Sequence, residues 1–152
     1  MTQIQGPHHP HRLLVVEDSE SDVELLREAL AESEPTVALD VVRHGEDALA
    51  FLRREGAFQK AARPDLVVLD LNLPRMGGFE VLRALREDVD PRLRRLPVVV
   101  FTTSGTRTDV EKAYDLHASS FVTKPTAFEH YLDTVRAFRE FWLRVAKLPT
   151  GA

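Results

Sequence analysis

The chain has 152 residues, the length of one domain and enough to bury a substantial core. Apolar residues make up 43% and charged residues 29%, an ordinary balance for a soluble globular protein, and the net charge of −4 argues against a general nucleic-acid-binding surface. The absence of cysteine excludes disulfides, zinc–thiolate sites and thiol catalysis. No apolar run approaches the roughly 18–20 residues of a membrane span, and the N-terminal stretch lacks the apolar centre of a signal peptide. A cytoplasmic location with no membrane contact fits these absences.

In chain order, residues 1–11 carry Pro7, Pro10, His8, His9 and His11 and read as a disordered tail. Residues 12–148 read as a single domain. Leu13–Val16 is a short apolar strand that stops at Glu17 and Asp18. Ser19 and Ser21 are candidate helix caps, Ser21 having capping-box spacing to Glu24. Val23, Leu26 and Leu30 then share one helical face. Val37–Val42 is a second strand, and a helix with Ala48, Leu49 and Leu52 inside ends near Gly56. Leu66–Leu69 is a third strand, stopping at Asp70; a loop with Pro74, Gly77 and Gly78 leads into a helix to about Arg86. Val98–Phe101 is the fourth strand, followed by a helix from about Thr108 to Leu116. Ser119–Val122 is a short fifth strand, and the last helix spans about Thr126 to Lys147.

Strands alternating with helices argue for an α/β fold with a parallel sheet, and the continuous Val/Leu runs suit strands covered on both faces. In such sheets chemistry gathers beyond the carboxyl ends of the strands. Glu17, Asp18, Asp70, Thr102 and Lys124 all fall at strand ends. Three carboxylates brought to one sheet edge repel one another unless a cation neutralises them. Hard oxygen ligands select Mg²⁺, or Mn²⁺, over zinc or copper. Asp70 ends the most apolar strand where a loop opens, so it can act as a nucleophile toward a phosphoryl group. Thr102 and Lys124 can then bind phosphoryl oxygens. Alone, a strand-end aspartate is more often a turn or cap residue; the specificity lies in the joint pattern.

Leu14-Val15-Val16-Glu17-Asp18, the run Val67 to Gly78 around Asp70, Phe101-Thr102-Thr103 and Phe121-Val122-Thr123-Lys124-Pro125 together resemble the receiver domain of two-component response regulators, over about residues 12–140. The resemblance implies a flavodoxin-like (βα)5 sheet of order 2-1-3-4-5. It implies Asp70 as phosphoacceptor, a Mg²⁺ site of Glu17 (through water), Asp18, Asp70 and the Asn72 backbone carbonyl, Lys124 as the phosphate-pairing lysine, and Thr102 with Phe121 as the switch pair. Two positions depart from the commonest pattern: Thr103 stands where many members carry Ala, and Ser104 follows it. Both positions bear on the lifetime of the phosphorylated state.

The last helix is longer than a receiver's usually is. Phe138, Phe141, Trp142 and Leu143 lie toward its far end and read as an apolar surface for a homodimer. Phe141-Trp142-Leu143 with Leu148-Pro149 resembles the tail of phytochrome-associated response regulators, which implies a phytochrome sensor histidine kinase as partner. The expectation is a stand-alone regulator without an output domain, signalling by protein–protein contact and catalysing at most its own phosphorylation and dephosphorylation. Alternatives are an intermediate receiver that passes its phosphoryl group to a phosphotransfer protein, and a receiver-like interaction module without phosphotransfer. An aspartate-nucleophile hydrolase is disfavoured because the position two beyond Asp70 is Asn72, not an acid.

Overall fold

A computed structural model describes residues 11–32 and 36–149 of the chain. Most of the tail expected to be disordered therefore lies outside the described residues. His11 does not belong to it: it opens the first strand, with its ring 3.9 Å from Asp65. Five parallel strands form one sheet: β1 (His11–Val16), β2 (Val37–Val42), β3 (Leu66–Leu69), β4 (Val98–Thr102) and β5 (Ser120–Thr123). Their order is β2-β1-β3-β4-β5, as the family resemblance implied. Five helices connect or follow them: α1 (Glu20–Ala31), α2 (Gly45–Arg53), α3 (Gly78–Arg86), α4 (Arg107–Asp115) and α5 (Phe128–Arg139).

Side chains alternate across a strand, so each β1, β3 and β4 residue chooses a face. Leu14, Val16, Val67, Leu69, Val98 and Val100 pack with Leu49 and Leu52 of α2 and Val81, Leu82 and Leu85 of α3. Leu13, Val15, Leu66, Val68, Val99 and Phe101 pack with Leu26 and Leu30 of α1 and Tyr131 and Val135 of α5. Both faces are covered, which is why Leu13–Val16, Leu66–Leu69 and Val98–Phe101 carry no polar side chain; His11 and Arg12 lie at the half-buried start of β1. Each fully buried Val or Leu contributes about 1.5–3 kcal/mol relative to exposure.

Most boundaries match the sequence pattern to within two residues. The cap of α1 is Ser19, whose hydroxyl accepts from the Asp22 amide at 3.4 Å; Ser21, in the first turn, is not the cap. α2 stops before Gly56, because Arg54 takes the left-handed conformation (φ 57°) that ends the helix. A single helical turn, Pro91–Arg94, was not foreseen; Asp90 caps it and Pro91 starts it.

The last helix departs most. α5 continues as a π-helical segment, Glu140–Val145, where the Ala146 amide donates to the Phe141 carbonyl at 2.7 Å. Tyr131, Val135, Arg139 and Leu143 are buried at steps of four. At 3.6 residues per turn that spacing drifts by roughly 40° per step. A wider π turn offsets the drift and returns Leu143 to the sheet. Leu143 is only 4% exposed and packs within its own chain, so it is not part of an outward apolar surface. Phe138 and Trp142 are half-buried against the same core, leaving Phe141 (52% exposed) and Val145 (64%) outside. Among the described residues no helix is long and apolar enough to cross a membrane.

Candidate phosphoacceptor and metal site

The sheet order sets the strand ends of β1, β3, β4 and β5 side by side. Main-chain bonds extend the ladder one residue past the strands and fix where the polar side chains start. The Glu17 amide donates to the Val42 carbonyl at 3.0 Å, that of Asp70 to Val16 at 3.1 Å, and that of Lys124 to Thr102 at 2.7 Å. Glu17, Asp70 and Thr102 are buried at 4%, 6% and 0% exposure, whereas Asp18 is exposed.

The Lys124 ammonium occupies the middle of this group. Its Nζ lies 2.9 Å from Glu17, 3.0 Å from Asp22 and 3.2 Å from Asp70. An ammonium has three protons, and three carboxylates take them. Asp70 also accepts from the Asn72 amide at 3.1 Å, and the Asn72 side-chain amide donates to the Thr102 hydroxyl at 3.4 Å. The Ser19 amide holds the second Glu17 oxygen at 3.1 Å.

Burial, and then the hydrogen bond with Asp70, push the Glu17 carboxyl up to about 8 against the pull of Lys124. Burial also pushes Asp70 up, but the Glu17 hydrogen bond, the Asn72 amide and Lys124 outweigh it and hold Asp70 below its ordinary value. Of the two carboxyls Asp70 is therefore the more acidic, and charge is favoured on it over Glu17. Burial works against the Lys124 charge, yet Glu17 and Asp70 raise its pKa above the ordinary lysine value.

Glu17, Asp18 and Asp70 each offer one oxygen, all within 4.8 Å of one another. Such a set, acidic, oxygen-only and with one exposed member, fits a hard divalent cation that keeps some of its water. Gly78 opens α3 against the loop that follows Asp70, its amide donating to the Leu71 carbonyl at 3.2 Å.

The structure brings together Glu17, Asp18, Asp70, Asn72, Thr102 and Lys124. Phe121, on β5, is half-buried on the α2–α3 side of the sheet and next to β4, the strand that ends in Thr102. Thr103 is exposed, and the Ser104 hydroxyl is held by Asp109 at 2.5 Å. The residue that sequence reasoning missed is Asp22. It lies four residues after Asp18, in the first turn of α1 and three residues beyond the cap Ser19.

The sequence profile of the response regulator receiver domain matches residues 13–136. Response regulator Rcp1 of Synechocystis sp. is 39% identical over 142 residues, covering 93% of this chain and 95% of that protein. The crystal structure of the phosphorylated cyanobacterial phytochrome response regulator RcpA superposes with a TM-score of 0.88 at 42% identity, covering 93% of this chain and all of that one. The Mn²⁺-bound form of Rcp1 superposes at 0.86 with 39% identity and the same coverage.

Proposed function

The chain belongs to the response regulator receiver domain family, and from that premise we propose that it takes a phosphoryl group on Asp70 from a sensor histidine kinase of the phytochrome type. The observation that carries this reading is the buried Asp70 carboxylate held 3.2 Å from Lys124 and beside Glu17 and Asp18. A carboxylate oxygen of Asp70 forms the new O–P bond as the P–N bond of a phosphohistidine breaks, its electron pair staying on the imidazole nitrogen. Glu17, Asp18, Asp70 and the Asn72 carbonyl would hold Mg²⁺, or Mn²⁺ in its place, as the Mn²⁺-bound relative supports. A cation there would supply positive charge against the transferring group. Lys124 pairs with one phosphoryl oxygen and Thr102 with another. Thr102 is thereby drawn inward, and Phe121 moves into the space it leaves, so that local charge biases a two-state element.

The signal leaves by protein–protein contact from one receiver domain spanning 12–148. Phe141 and Val145, with the exposed edges of Phe138 and Trp142, support a homodimer through the helix that follows β5. Incubation with acetyl phosphate and Mg²⁺, read by intact mass, tests the phosphoacceptor. Wild type should gain one phosphoryl group and Asp70→Asn none; an unmodified wild type, or a labelled variant, overturns the assignment.

A further inference from the structure

Lys124 meets three carboxylates, but they are not equivalent. Glu17 and Asp70 belong to the oxygen set that fits a cation, and Asp70 is also the phosphoacceptor. Asp22 lies outside that set. Its carboxylate is 3.0 Å from Lys124 and 39% exposed, on the first turn of a twelve-residue helix whose cap, Ser19, holds the Asp22 amide. The same Ser19 donates its own amide to Glu17, so one short segment carries both of these partners of the lysine. A negative charge in the first turn also sits favourably against the helix dipole.

Lys124 and a cation draw on the same two carboxylates, Glu17 and Asp70. With a cation bound, and before a phosphoryl oxygen is there to pair with the ammonium, two of the three partners of Lys124 turn part of their charge away from it. With a side chain 8% exposed, Lys124 does not recover that loss from bulk water. Asp22, outside the cation set, keeps its oxygen for Lys124.

We propose that Asp22 is a positioning residue for Lys124: it holds the ammonium, ready for a phosphoryl oxygen, while Glu17 and Asp70 are drawn to the cation. Removing it leaves Lys124 to compete for Glu17 and Asp70. The proposal deepens the phosphoacceptor reading and rests on it for the phosphoryl step, but its first consequence is on cation binding, which needs no phosphoryl donor.

The test is a double-mutant cycle read by calorimetric titration with Mg²⁺. Asp22→Asn should weaken Mg²⁺ binding by about tenfold, in the range seen when a partner of a metal ligand is lost. In a Lys124→Gln background the same change should weaken it less than about twofold, because the lysine it serves is gone. Asp22→Glu should recover most of the loss. A general loss of negative charge predicts equal weakening in both backgrounds, and that outcome overturns the proposal. So does an Asp22→Asn protein that binds Mg²⁺ as wild type does, or an Asp22→Glu protein as impaired as Asp22→Asn. Acetyl phosphate labelling of wild type in parallel separates the two readings: unlabelled wild type defeats the phosphoacceptor, while the Mg²⁺ cycle still decides the role of Asp22.

Discussion

A Cβ added at Gly78 would sit 2.5 Å from the Asp70 carbonyl oxygen and 2.8 Å from the Leu71 Cα. Both are main-chain atoms, so the loop bearing the phosphoacceptor has to move to admit even a methyl group. Gly78→Ala should cost about 1–3 kcal/mol in denaturant unfolding. It should also slow labelling by acetyl phosphate, because the displaced backbone carries Asp70 itself. Sequence reasoning placed Gly78 in a loop close to the site, but whether glycine was required or merely tolerated depended on which backbone approached it. The same limit hid Asp22. Its spacing from Asp18 was legible; its contact with a lysine 102 residues away was not.

Elements are joined by pairs that no local pattern contains. The Arg53 guanidinium, at the end of α2, donates to Asp88 at 2.8 Å, and the Asp90 amide donates to the other Asp88 oxygen at 2.9 Å. Burial raises the Asp88 carboxyl, but the Asp90 amide and then Arg53 outweigh it and hold the pKa below its ordinary value. A carboxylate depressed in the folded state stabilises the fold above its unfolded pKa, and that contribution is lost as pH falls through the folded one. Asp88→Asn should therefore lose about 1–2 kcal/mol at neutral pH. Its deficit relative to wild type should shrink as both are unfolded at progressively lower pH below about 4. A deficit that stays constant on acidification would assign the loss to shape, not charge. At this scale the strands were the easiest elements to read, because burial on both faces leaves an unbroken apolar run. The Pro91–Arg94 turn is too short to show a period; only Asp90 and Pro91 marked it.

For the whole molecule, the segment after β5 has two tasks that separate by residue. Leu143 closes the α1–α5 side of the core, whereas Phe141 and Val145 face outward. Leu143→Ala should lower stability by about 2–5 kcal/mol at any protein concentration. Phe141→Asp with Val145→Asp should leave unfolding almost unchanged and convert a dimer to a monomer in sedimentation experiments. An unchanged mass in that double variant would remove these residues from a dimer interface. Cutting the chain before this segment is a poorer test, since it would strip Leu143 and the half-buried Phe138 and Trp142 from the core.

The sequence by itself determined the alternation of strands and helices, the covering of both sheet faces, and the gathering of Glu17, Asp18, Asp70, Thr102 and Lys124 at strand ends. These are consequences of period and burial, which a linear pattern records. Only the tertiary structure decided which oxygens face Lys124, that Asp22 joins them, and that Leu143 turns inward while Phe141 does not. The reason is geometric: contacts across a hundred residues, and a widened last turn, depend on distances and rotations that the helical or strand period of any one segment does not contain.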